Sequence, residues 1–235
     1  MATLNDALAP RRTPLYHLHR ADQEGADAWT QRGGYAVPAD QDEPSELQAQ
    51  IARCALADLS PLARAGFRGR DAAQYLVSRE FRLPEAPNRA VHQADGSLAV
   101  RLSATEYLLL GGLADDGERI AREEASWRMD ERACYLLPRQ DTHAWLALTG
   151  RHAGEVMAKL CAVDLSGKAF PDGRVAQTSV ARVNAIVVNA GHGDLPCFHL
   201  LVDSALACYF WPALLDAMQE FGGRAVGMSA LQACR

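Results

Sequence analysis

Apolar and polar positions follow two periods along this chain, and the changes of period mark its elements. After Ser45, the residues Leu47, Ile51 and Ala55 recur at helical spacing, and the serine hydroxyl is placed to accept from orphan N–H groups of a first turn. This predicts a capped helix over residues 46–56 that ends near Asp58-Leu-Ser-Pro61. A short strand at 65–68 and a helix over 71–77, with Asp71 favouring its dipole, are expected next. Leu98-Ala-Val-Arg-Leu102 and Glu106-Tyr-Leu-Leu-Leu110 read as paired strands around Ser103-Ala-Thr105. The charged stretch 115–127 reads as a solvent-facing helix. His143-Ala-Trp-Leu-Ala-Leu148 reads as a strand closed by Thr149-Gly150, and 151–160 as a helix burying Val156, Met157 and Leu160.

Residues 178–188 are rich in β-branched side chains and 198–202 form another predicted strand. The closing helix carries Leu206, Phe210, Ala213, Leu214, Ala217, Met218 and Phe221 on one stripe. Pro212 lies inside it and is expected to bend or break it. Strand, glycine turn and helix therefore recur, at 66–77 and at 146–160. That recurrence predicts an α+β fold of two related subdomains with antiparallel or mixed sheets and packed helices, not alternating βαβ units. The expected division is 1–44 as an extended N-terminal arm, 45–140 as the first subdomain and 141–235 as the second. The arm, from Thr3 to Val37, is polar and broken by Pro10, Pro14, Gly33, Gly34 and Pro38, so it is expected to order against a partner.

Composition removes several function classes. A formal charge of −5, from 29 acidic and 24 basic residues mixed along the chain, leaves no basic footprint for nucleic acid. No apolar run is long enough for a bilayer, and the first residues lack a basic segment followed by an apolar one, so a cytoplasmic location is expected. The six cysteines, Cys54, Cys134, Cys161, Cys197, Cys208 and Cys234, are scattered with no Cys-x-x-Cys pair, and reduced thiols are expected. His17-x-His19 has no second cluster at ligand spacing, so no metal site is predicted.

The chain has no G-x-S-x-G elbow, Walker loop or G-x-G-x-x-G segment. His17, His19, His92, His143, His152, His192 and His199 are dispersed and are read as surface or hydrogen-bonded structural residues. Trp127, Trp145 and Trp211 are read as core or interface anchors. No catalytic residue is predicted.

Thr13-Pro-Leu-Tyr-His17, Gly33-Gly-Tyr-Ala-Val-Pro38, Ala55-Leu-Ala-Asp-Leu-Ser60 and Thr149-Gly150 with its helix resemble, in order, segments of the folate-dependent aminomethyltransferases. The block Cys161-Ala-Val-Asp-Leu165, Ala169-Phe-Pro171 and Gln177-Thr178 resembles the γ subunit of heterotetrameric sarcosine oxidase, in the same folate-binding superfamily. The resemblance implies an aminomethyltransferase-like fold. It also implies a missing site. Active relatives carry an acidic strand after their Asp-Gly turn, whereas Asp95-Gly96 here runs through Ser97 into Leu98-Ala-Val-Arg-Leu102. Their Gly-Tyr-Thr-Gly-Glu loop is replaced by Asn189-Ala-Gly-His-Gly-Asp-Leu-Pro196, where Asp194 reads as a turn residue. The Lys-Gly-Cys motif of the iron–sulfur-assembly branch is absent.

The resemblance thus implies a noncatalytic γ-type subunit of a flavin-dependent sarcosine or N-methyl amino acid oxidase or dehydrogenase. Its α, β and δ-type partners would hold FAD, FMN, NAD and tetrahydrofolate, with none bound by this chain alone. The alternative is a free-standing folate-dependent aminomethyl or methyl transferase with a rebuilt site.

Overall fold

The computed structural model describes residues 10–22, 28–40, 42–191 and 195–233. In chain order its elements are α1 (Tyr16–Asp22), β1 (Trp29–Arg32), β2 (Tyr35–Pro38), α2 (Pro44–Arg53), β3 (Ala55–Asp58), β4 (Arg64–Arg68) and α3 (Ala72–Ser78). There follow β5 (Arg89–His92), β6 (Leu98–Arg101), β7 (Glu106–Leu110), α4 (Glu118–Ser126), β8 (Tyr135–Pro138), β9 (His143–Thr149) and α5 (Ala153–Leu160). The chain continues through β10 (Val175–Val180), β11 (Val183–Asn189), β12 (Cys197–Asp203), α6 (Ala207–Met218), β13 (Arg224–Ala225) and α7 (Met228–Ala233).

Two sheets stack between helices. The larger has the order β10-β11-β12-β9-β3-β13 and is antiparallel except for the parallel β13–β3 pair. The smaller is antiparallel, in the order β5-β6-β7-β4-β8. Side-chain alternation assigns the faces. On β9, Ala144, Leu146 and Leu148 join the core under α5 and α6, whereas Trp145 and Ala147 face the smaller sheet. On β7, Leu108 and Leu110 meet that inter-sheet core, and Tyr107 and Leu109 pack under α3 and α4. Because both faces are covered, β9 and β12 read as nearly continuous apolar runs. The fold is α+β with mixed sheets, as the sequence pattern predicts.

The predicted recurrence has a backbone counterpart. β4 leads through Gly69 into α3, and β9 leads through Gly150 into α5. Both glycines hold positive φ, +144° and +114°, and a Cβ there would lie 1.8 Å from the Ala133 carbonyl oxygen and 2.6 Å from the Arg53 carbonyl carbon, respectively. Each turn thus needs a residue without a side chain. Sheet membership crosses the expected division at residue 140, since β3 joins the sheet of β9 to β12.

Several local expectations are corrected. The second helix ends at Arg53, and Ala55–Asp58 is a strand because its backbone pairs with β9 and β13. Its N-cap is Glu43 followed by Pro44 at the first helical position, so Ser45 is not the cap. The N-terminal region is not an extended arm over its described part. It holds α1 and the β1–β2 hairpin, anchored by fully buried Leu15 and by Ala28 and Val37. Residues Thr3 to Ala9 lie outside the described residues.

α6 runs unbroken across Pro212. Cys208, whose carbonyl loses the i+4 donor, is exposed together with Pro212, so water can serve that carbonyl. A 3₁₀ turn at Ser204–Leu206 precedes the helix, and there the Asp203 side chain accepts from the Ala205 N–H.

Candidate functional site

The segment singled out by sequence, Asp95-Gly96-Ser97, is a closed turn. Asp95 Oδ1 accepts from Ser97 N at 3.0 Å and Ser97 Oγ at 2.7 Å, and Oδ2 accepts from Arg119 Nη1 at 2.9 Å. Burial pushes this carboxyl up, but the Ser97 and Arg119 contacts outweigh it and leave it below the usual carboxylate range. Asp95 is committed to tying the β5–β6 hairpin to α4. On β6 itself, Leu98, Ala99 and Val100 are buried and pack into the two cores that flank the sheet. The strand presents no acid.

Beside this turn lies an open cleft of about 690 Å³, lined among others by His92, Gln93, Asp95, Leu113, Asp172 and Gly191. His92, on β5, holds its Nε2 3.4 Å from Oδ1 of Asp172, in the segment before β10. Asn189 shapes the neighbouring loop, donating through Nδ2 to the Phe170 carbonyl at 2.7 Å and accepting from Gly191 N at 3.1 Å. His192 and Asp194 lie outside the described residues.

A second constellation was not found by sequence. His19, on α1, and Asp58, at the end of β3, are both buried, and His19 Nε2 stands 3.1 Å from Asp58 Oδ2. Asp58 Oδ1 accepts from Ser60 N at 2.9 Å. Burial pushes the Asp58 carboxyl up, yet the hydrogen bond and charge of His19 and the Ser60 contacts more than reverse it, so it is held below its ordinary value. An ionised carboxylate is acceptor-only, so the His19 Nε2–H donates to Asp58. The His19 ring meets Trp211 edge-on, with centroids 5.0 Å apart.

The remaining titratable groups have structural settings. Burial, helped by Arg139 and Arg64, pushes His143 down to about 4. His199 is buried between the sheets against Trp145. His152 stacks on Phe221. Arg64, fully buried, donates to the carbonyls of Ser60, Leu62, Gln140 and His143, and burial draws it down to about 10. Burial lifts Cys54 and Cys134 to about 11, well away from thiolate chemistry at neutral pH. No disulfide joins the described cysteines, and Cys234 lies outside them. Among the described residues no group of three His, Cys, Asp or Glu side chains could hold a metal ion, and no helix is long and apolar enough to cross a membrane.

Comparison with known proteins defines the class to which this fold belongs. Residues 88–235 match the family described as GCVT N-terminal domain, and the chain belongs to that family. Curated relatives are aminomethyltransferases. That of Saccharopolyspora erythraea is 25% identical over 97% of this chain and 63% of its own length, and that of Exiguobacterium sibiricum is 27% identical over 88% and 58%. The chain therefore spans about six-tenths of the length of these relatives. Among solved structures, the glycine cleavage system aminomethyltransferase T of Bartonella henselae superposes with a TM-score of 0.71 at 17% identity, over 94% of this chain and 61% of that one. A chain of the heterotetrameric sarcosine oxidase of Corynebacterium sp. U-96 superposes with a TM-score of 0.61 at 21% identity, over 92% of this chain and 98% of that one. Both likenesses establish the aminomethyltransferase-like fold.

Proposed function

We propose that this chain is a noncatalytic γ-type subunit of a multi-subunit, flavin-dependent oxidase or dehydrogenase of sarcosine or another N-methyl amino acid. The observation that carries this reading is β6. Where the family resemblance leads one to expect a carboxylate, the strand after Asp95-Gly96 offers Leu98, Ala99 and Val100, all buried, and Asp95 itself is held by Ser97 and Arg119. General acid–base chemistry needs a titratable group within hydrogen-bond reach of the reacting amine. The β6 strand supplies none. The assembly part of the reading is supported by the superposition on nearly the whole of one chain of a heterotetrameric enzyme. FAD, FMN, NAD and tetrahydrofolate belong, on this reading, to α, β and δ-type partners.

The second reading, a free-standing folate-dependent aminomethyl or methyl transferase, is favoured by the names of the curated relatives and by the open cleft beside Asp95. Purified chain assayed with tetrahydrofolate and an aminomethyl or methyl donor separates the two. The subunit reading expects no turnover above background. Sustained turnover that is lost in an Asp95→Asn variant would replace it with the transferase reading.

A further inference from the structure

Among the described residues, five other than glycine hold a positive φ: Glu80 (+64°), Asn88 (+58°), Asp116 (+50°), Ala181 (+47°) and Arg182 (+69°). A residue with a side chain adopts this left-handed conformation at a cost, which persists where surrounding contacts hold it. Four of the five have such contacts. Glu80 follows the end of α3, and its carbonyl accepts from Arg119 Nη2 at 3.2 Å. Asn88 Oδ1 accepts from Gln177 Nε2 at 2.9 Å, and Asp116 pairs with Arg32. Ala181 is buried, its N–H donates to the Leu160 carbonyl at 2.9 Å, and its own carbonyl accepts from the Tyr209 hydroxyl at 3.0 Å. Arg182 differs. Its side chain is exposed and makes no hydrogen bond or ion pair with the described residues.

Ala181 and Arg182 form the two-residue loop of the β10–β11 hairpin, closed by Val180 opposite Val183, and their consecutive positive φ values make it a type I′ turn. Glycine suits the second position of such a turn, because it has no Cβ to strain. Arg182 thus carries strain that no side-chain contact with the described residues offsets, and a contact outside the chain accounts for it. Its surroundings define that contact. Tyr209, whose hydroxyl bonds the preceding carbonyl, is 51% exposed, and Leu206, one turn earlier on the same side, is 39% exposed. A guanidinium receives a carboxylate through two parallel hydrogen bonds, and Arg with Tyr makes a strong interface anchor. A free anion would leave Tyr209 and Leu206 uncovered, and the net charge of −5 opposes a polyanion. We infer that Arg182 docks a carboxylate of a partner chain, whose neighbouring apolar side chain covers Tyr209 and Leu206. The inference rests on the subunit reading and assigns a point of contact within it.

Tagged parent, Arg182→Gly and Arg182→Glu chains, each produced in the native cells in place of the untagged chain, test it. The affinity-purified assembly is washed in rising NaCl, and the flavin-bearing chains retained per tagged chain are measured. Arg182→Gly should lose half of them at a lower salt concentration than the parent, and Arg182→Glu at a lower one still. The melting temperature of the full chain alone checks the fold. For Arg182→Gly it should equal or exceed that of the parent, since relieved strain offsets the looser unfolded chain. Equal retention by the parent and Arg182→Gly at every salt concentration overturns the inference and leaves the subunit reading standing. A parent chain that captures no flavin overturns both. A melting temperature of Arg182→Gly more than about 2 °C below the parent places the role of Arg182 inside the chain and also overturns the inference.

Discussion

His19 and Asp58, separated by 39 positions, meet at 3.1 Å beneath Trp211 and fasten the N-terminal helix to the central sheet. Both side chains are over nine-tenths buried, so the pair is shielded from the screening that weakens surface ion pairs. Removing one member strands the other. His19→Ala should lower the unfolding free energy by about 3 kcal/mol, measured by urea denaturation. A loss within experimental error would mean that α1 is held by Leu15 and Leu18 alone.

The same pair predicts the acid limb of stability. The Asp58 carboxyl lies lower in the fold than in the unfolded chain, where about 3.9 is usual, so its contribution is complete above that value and fades as pH falls through the folded value. Asp58→Asn should start less stable at neutral pH and lose less on acidification below pH ~4. Parallel losses in the two proteins would show that the contribution resides elsewhere.

His143 acts in a higher window. The fold keeps it neutral down to about 4, while the unfolded chain takes up its proton near pH 6.5, so the unfolded state binds more protons between those values. Stability should therefore drop as pH falls from about 6.5 toward 4. His143→Gln should flatten that drop. An unchanged slope across the window would contradict it.

At Gly150, where φ is +114° and a Cβ would meet the Arg53 backbone at 2.6 Å, substitution by alanine should cost about 2–4 kcal/mol. A melting temperature equal to that of the parent would show that the turn can relax.

The sequence reveals best those elements whose burial is periodic and whose ends are marked. β6, β7, β9 and α5 were legible because apolar runs ended in Gly, Ser-Ala-Thr or Thr-Gly turns. β3 was not, since Ala55-Leu-Ala-Asp58 continues the spacing of α2, and only pairing with β9 and β13 makes it a strand. β8 and β13 are short edge strands whose partners, β4 and β3, lie far away in sequence, and β5 is a four-residue edge strand with a single partner, β6. The N-terminal region was misread because few apolar residues anchor it, and Leu15, Ala28 and Val37 have no period. For the candidate site, Asp95 was visible in an Asp-Gly turn, whereas its engagement by Arg119 was not. The His19–Asp58 pair had only a weak signal, an Asp-x-Ser closing an apolar run, and no local pattern joins it to a histidine 39 positions away.

As proposed above, this chain would work as part of a flavin-bearing assembly. The most direct measurement is affinity purification of the tagged chain from its native cells, followed by native mass determination and the flavin absorption spectrum of the same peak. The account predicts a large complex that carries flavin and co-purifies stoichiometrically with this chain. A colourless monomer of the chain alone, recovered from cells grown on an N-methyl amino acid, would contradict it.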